Sequence, residues 1–331
     1  MVLVTGGTGL VGAHLLLHLT ENDAQVRAIY REPKSLEKTK SLFQLYHKEQ
    51  LFQKIEWLQA DIIDIPSLEI AFRNIDYVYH CAGLISYDPN DENNLRKVNI
   101  EGTANIVNLC IGNSIKKLCH VSSIAALGDK AAHETEVTET TEWNPEAAHS
   151  DYAISKYGAE MEIWRGQQEG LDVVIVNPGV IFGAGFWNQG SGKFFSGIKK
   201  GFPFYTNGTT AYVGVADVVK SMVQLMQSNI KGERFIVVSE NLSFKKVIFG
   251  IAENLHAKKP KIEAKPWMLR IAWRLDWLVA TLFRTKRKLS RYSANSLVSS
   301  EFISNQKIKN ALAFEFQSID AVIKEVVSAQ K

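Results

Sequence analysis

Tyr152 and Lys156 stand four residues apart in a stretch, Asp151 to Glu169, whose apolar residues recur at helical spacing. One turn of helix therefore puts phenol and ammonium on the same face, an arrangement suited to acid–base work. A phenol near pKa ~10 carries protons poorly at neutral pH, and an adjacent ammonium stabilises the phenolate and draws that value down. Spacing alone is weak, because Tyr30 and Lys34 repeat it. Position separates the two pairs: Tyr152 follows a fifth strand ending in Val121-Ser-Ser-Ile124, whereas Tyr30 ends the second strand. A serine at a strand's C-terminal edge points into the crevice where open α/β sheets bind ligands, and can hydrogen-bond a carbonyl or hydroxyl oxygen. Ser122 and Ser123 alternate faces, so only one of them can do this.

A second constellation opens the chain. Thr5-Gly-Gly-Thr-Gly-Leu-Val-Gly12 follows an apolar strand and begins a helix, with glycines at 6, 9 and 12. The mechanics are those of a dinucleotide site: a tight turn, backbone close to a pyrophosphate, and amides at a helix N-terminus facing the phosphates. After the second strand an acidic residue would bind a ribose 2′-hydroxyl, whereas arginine neutralises a 2′-phosphate. Here Val26 to Tyr30 runs into Arg31, with Lys34 close by, which favours NADP(H) over NAD(H). Asp61, past the third strand, is expected either to accept from the adenine amino group or to serve as a helix N-terminal acid.

These groups need a sheet to hold them. Strand-like runs at Met1–Thr5, Gln25–Tyr30, Ile55–Gln59, Tyr77–Cys81, Leu118–Ser122 and Val173–Asn177 alternate with helix-like segments. The fold class this implies is α/β, a Rossmann-type doubly wound parallel sheet. Residues 1–180 are expected to form the dinucleotide-binding domain. Residues 181–331 should form a smaller, mainly helical substrate lobe, the chain partly returning to the sheet near 212–240. The stretch Phe182 to Thr209 reads as a long Gly- and Phe-rich loop lining a binding site.

Taken together, Thr5 to Gly12, His80-Cys-Ala-Gly83, Asn99, Ser123, Tyr152-Ala-Ile-Ser-Lys156, Asn177-Pro-Gly-Val180 and Tyr212-Val-Gly-Val-Ala-Asp217 resemble an extended short-chain dehydrogenase/reductase of the epimerase/dehydratase superfamily. The resemblance is strong to about Asp217 and looser in the tail, where Asn305 to Phe314 looks like the family's closing helix. It implies Tyr152 as general acid/base, Lys156 as ribose anchor, Ser123 as hydrogen-bond donor to the substrate oxygen with Ser122 as fallback, and Asn99 beside them in the catalytic group. The implied cofactor contacts are Gly6, Thr8, Gly9, Leu10, Val11, Gly12, Arg31, Asp61, Ile62, Ala82, Gly83, Lys156, Pro178 and Val180. Arg31 after Val26-Arg-Ala-Ile-Tyr30 resembles the dihydroflavonol-reductase-like branch, which reduces carbonyls with NADPH. Family members often dimerise through helices corresponding to Glu92–Asn113 and Asp151–Glu169, so a homodimer is expected.

Other groupings are weaker. His80-Cys81 and Cys119-His120 fall on neighbouring strands, but alternation sends adjacent residues to opposite faces, so no metal site is expected. Phe182, Phe186, Trp187, Phe194, Phe195, Phe202, Phe204 and Tyr205 either contact an apolar or aromatic substrate or close a core. Residues 266–291 combine tryptophans and leucines with Arg270, Arg274, Arg284, Lys286, Arg287, Lys288 and Arg291. That segment is either a peripheral membrane contact or a lobe helix with a solvated basic loop.

The whole chain has 331 residues and a net charge of +3, too even a balance for an electrostatic nucleic-acid binder, so the expected partner is a small-molecule carbonyl or alcohol. Three cysteines favour a reducing compartment, the cytoplasm. No signal peptide or membrane span is expected. Three functions compete: a carbonyl reductase using NADP(H), a nucleotide-sugar epimerase or dehydratase with tightly bound NAD, and a non-catalytic NADP(H)-binding sensor.

Overall fold

A computed structural model describes residues 1–131, 133–287 and 289–330; Lys288 of the basic segment lies outside the described residues. The expected strands form as β1 (Val2–Thr5), β2 (Val26–Tyr30), β3 (Glu56–Gln59), β4 (Tyr77–His80), β5 (Lys117–Val121) and β6 (Val173–Pro178). All six residues of β6 are buried, as an apolar run covered on both faces requires. After it come β7 (Val180–Phe182), β8 (Thr209–Gly214), β9 (Glu233–Val237) and β10 (Glu240–Ser243). β9 pairs parallel with β6, so the sheet has seven strands rather than six, in the order β9-β6-β5-β4-β1-β2-β3.

Alternation along each strand divides the core. Val4, Tyr79, Cys119, Val174 and Val176 face α1 (Leu10–Glu21) and the helix Val215–Gln227. Leu3, Val78, Leu118, Val173 and Ile175 face Ile106, Val107 and Ile163 of α2 (Gly102–Gly112) and α3 (Asp151–Gln168). The strand order reverses between β1 and β4, and the crevice at their C-terminal ends is where such sheets bind ligands.

The stretch from Phe182 to Thr209 is not one long loop. It carries the helix Lys193–Lys199 and a short strand, Phe204–Tyr205, paired with Ile262–Glu263. Its aromatic residues explain this: Phe182, Phe186, Trp187 and Phe195 are buried, and Phe182, Trp187 and Phe195 pack with Tyr212, Phe244 and Ile323 in a second core. Packing, rather than substrate contact, accounts for that half of the cluster. Among the described residues no helix is long and apolar enough to cross a membrane, and no group of metal-ligating side chains forms.

Candidate active site

The first turn of the site is backbone. Gly6 has φ +68, and a Cβ there would lie 2.6 Å from the Ala82 amide nitrogen, so the ends of β1 and β4 meet only because this residue lacks a side chain. A Cβ on Gly12 would collide with the Gly6 carbonyl oxygen. Gly9 caps α1 without a side chain, and no acidic residue occupies the first turn. The amides of Leu10, Val11 and Gly12 therefore lack intrahelical acceptors and face outward beside Thr8, a cradle that fits a pyrophosphate.

Around this cradle the other expected cofactor residues take definite places. Arg31 follows β2 with its side chain exposed, and its guanidinium makes no ion pair among the described residues. Asp61 does not cap a helix, since the next one begins at Ile65 after Asp64; its carboxylate instead accepts from the Ile63 amide at 3.2 Å. Ile62 is buried against Gly102, and its carbonyl accepts from Asn105 at 3.0 Å. Pro178 and Val180 carry the chain from β6 into β7. Gly83 lies where a Cβ would approach both Asn99 Oδ1 (3.4 Å) and Lys156 Nζ (4.0 Å), so the cradle is continuous with the polar cluster beyond it.

α3 begins at a Ser150 cap that accepts from the Ala153 amide, and it carries Tyr152 and Lys156 into the interior. Burial pushes the Tyr152 phenol up, the nearby Tyr87 adds to this, and the Ser123 hydroxyl opposes it. Burial also lowers Lys156 to about 8, against the pull of Glu160 and Cys81. The expected depression of the phenol by Lys156 is not found. The ammonium donates instead to the Val121 carbonyl at 2.9 Å, and desolvation dominates both groups.

The two serines separate as alternation requires. Ser123 acts on Tyr152, whereas Ser122 is buried with its hydroxyl toward Glu160, away from the crevice. Asn99 serves as a clamp: Oδ1 accepts from Leu84 N at 2.7 Å, and Nδ2 donates to Leu84 O at 3.0 Å and Ser155 Oγ at 2.9 Å. Both of its amide hydrogens and one acceptor site of its oxygen are thereby used, which ties the loop after β4 to α3. The expected helix Glu92–Asn113 is broken around it by a π-helical turn, Arg96–Glu101.

His80 belongs to the same scaffold. Thr103 donates to the Asn99 carbonyl at 2.6 Å, so it must accept from His80 Nε2 at 3.0 Å, leaving Nδ1 to accept from Thr5 at 2.7 Å. His80 and His120 sit side by side on one sheet face, and Tyr79 and Cys119 pair on the other, so imidazoles and thiols do not converge.

Sequence reasoning missed Glu160, Arg234 and Tyr87. Glu160, fully buried, accepts from Asn177 and pairs with Arg234 at 3.1 Å. Its position one turn beyond Lys156 was the available signal. The Tyr87 ring lies 5.8 Å from that of Tyr152 and lines a cavity of about 240 Å³ with Asp151, Trp273, Arg287, Arg291 and Tyr292. A larger cavity, about 480 Å³, lies by Trp143, Tyr157 and Trp164. None of Ser123, Tyr152, Lys156 and Asn99 lines either cavity; the smaller one approaches the site through Tyr87 and Asp151, the neighbour of Tyr152.

Residues 2–238 match the family described as NAD dependent epimerase/dehydratase. The chain belongs to that family. Within it the relatives point to the dihydroflavonol-reductase-like branch of extended short-chain dehydrogenases/reductases, and the protein is an NAD(P)-dependent enzyme. It is 28% identical to a putative dihydroflavonol 4-reductase of Synechocystis sp. over 329 residues, covering 94% of this chain and 92% of that protein. Among solved structures, gox2253 superposes with TM-score 0.82 at 24% identity, covering 99% of this chain and 97% of the other. UDP-glucose 4-epimerase of Thermotoga maritima superposes with TM-score 0.77 at 19% identity, covering 99% and 98%. These two likenesses speak for the fold alone.

Proposed function

We propose that this protein is an NADP(H)-dependent oxidoreductase that reduces a small-molecule carbonyl to an alcohol, or runs the reverse reaction. The observation that carries the reading is the buried Tyr152 phenol with the half-buried Ser123 hydroxyl against it, and Lys156 one turn after Tyr152 on α3 beside the glycine cradle. The branch to which the relatives belong supports reduction, and Arg31 in place of an acid supports NADP(H).

The residues divide the work. The Gly6–Gly12 turn and the first amides of α1 would hold the pyrophosphate, Arg31 and Lys34 the 2′-phosphate, and Asp61, Ile62, Ala82 and Gly83 the adenosine side. Pro178 and Val180 would border the nicotinamide, and Lys156 its ribose. The bound nicotinamide supplies or takes up hydride, chemistry that belongs to the cofactor. Ser123 orients the substrate oxygen. Tyr152, whose raised pKa keeps it protonated at neutral pH, gives its proton to that oxygen as charge develops there.

Tyr87, Trp273 and Tyr292 around the cavity suit an aromatic or apolar substrate, and Arg287 with Arg291 gives an anionic substituent a place to lie. Incubation with NADPH and a panel of apolar aldehydes and ketones, followed by absorbance, tests this. Oxidation of NADPH that disappears in Tyr152→Phe is expected. Bound NAD recovered on purification, with turnover of a sugar nucleotide and no net redox change, would replace this reading with the epimerase.

A further inference from the structure

The helix Pro266–Phe283, here α4, is apolar on two opposite faces. Its inner face places Leu269 against Ala264 and Ala294, with Trp273 packed on the same cluster and reaching the cavity wall beside Tyr87. On the outer face Trp267, Ile271, Leu275, Leu278 and Leu282 recur at steps of four, four, three and four, which is one continuous stripe. Their exposures run from 49% to 72%, and Val279 and Phe283, also exposed, widen the stripe. A helix that rests on a protein and otherwise faces water carries polar residues at such positions, so this surface is built to meet something.

Charge decides what. From Lys265 to Arg291 the sequence has eight basic side chains and one acidic, Asp276, whereas the entire chain has a net charge of only +3. The rest of the protein is therefore net acidic, and the positive charge is gathered around this stripe. Arg270 and Arg274 flank it, exposed, and Arg284 and Lys286 follow its end. Asp276 is turned inward, accepting from the Leu289 amide at 3.1 Å and lying 3.9 Å from Arg287 Nε.

We propose that α4 docks the protein on an anionic lipid surface, its stripe sunk to the headgroup–acyl boundary and its arginines among the lipid phosphates. The helix lies in the membrane plane and does not cross it: it rises only ~27 Å over its length, and Arg270, Arg274 and Asp276 interrupt it. A second copy fits poorly, because stripe-to-stripe contact would bring the two basic segments together.

Flotation of the full chain with phosphatidylcholine vesicles, with and without about 30% phosphatidylglycerol, tests the proposal alongside sedimentation without lipid. Retention on the anionic vesicles at low salt is expected, with weaker retention at high salt. The double variants Leu275→Asp/Leu278→Asp and Arg270→Glu/Arg274→Glu should each lower partitioning about tenfold or more. Both should keep the wild-type melting temperature, because these side chains are exposed. Three results would overturn it: no flotation of the wild type with anionic vesicles, flotation indifferent to both variants, or a lipid-free dimer that Leu275→Asp/Leu278→Asp dissociates, which would assign the stripe to a second copy.

Discussion

The Ser123 carbonyl accepts from the side-chain amide of Asn177 at 3.0 Å, on the buried side of the segment that presents the serine. The same Asn177 nitrogen donates to Glu160, and Glu160 pairs with Arg234, whose guanidinium donates twice to the Glu139 carbonyl, at 2.9 and 2.6 Å. Ser123 is thus held from behind by a polar chain that runs through Asn177 of β6, Glu160 of α3 and Arg234 of β9, none of which involves Tyr152.

Removing the phenolic hydroxyl should therefore leave the site folded. Tyr152→Phe is expected to lower kcat by about 10²–10⁴ while the NADPH dissociation constant changes less than about twofold, as steady-state rates and fluorescence titration would show. Equal loss of cofactor binding would assign Tyr152 a structural role.

Lys156 is a buried cation held near pKa 8 by desolvation, below its ordinary 10.5. Between those values the unfolded chain binds more protons than the folded one, so this group makes stability rise with pH from about 8 to 10.5 and is a constant cost below. Lys156→Met should be inactive yet at least as stable at pH 7, by at most about 3 kcal/mol, and should lose the rise. Thermal melts across that range, wild type against variant, read the difference.

Three buried histidines act in the acid range. Burial lowers His14 to about 4 and His80 to about 3, and drives His120 well below its usual value. The unfolded chain binds the extra protons as pH falls below 6.5, so stability should drop through that window and stay flat above it. Among the described residues neither ring nitrogen of His120 has a hydrogen-bond partner, so His120→Leu should be neutral or stabilising by roughly 1–2 kcal/mol and should flatten the acid slope. Urea midpoints measured against pH check both statements.

The glycine cradle tolerates no side chain. Gly12→Ala, which sets a Cβ against the Gly6 carbonyl oxygen, is expected to cost about 1–3 kcal/mol of stability and to abolish cofactor binding. Wild-type affinity in that variant would remove the turn from the cofactor site.

Much of this was legible in the sequence where chemistry and periodicity coincide. The strand runs, the Gly6–Gly12 turn and the Tyr152–Lys156 face follow from local pattern, and the burial of both side chains agrees with it. Tertiary packing hid the rest. Phe182 and Phe195 read equally well as substrate contacts until their burial against Phe244 is seen. Tyr87 and Arg287, two hundred positions apart in the chain, share a cavity wall that no local signal announces.

The central claim is tested most directly by titrating the protein with NADPH and NADH, each against wild type and Arg31→Ala. Tighter binding of NADPH, weakened about 10–100-fold by the substitution while NADH is unaffected, is the predicted result. Preference for NADH, or NADPH binding indifferent to Arg31, would contradict the account.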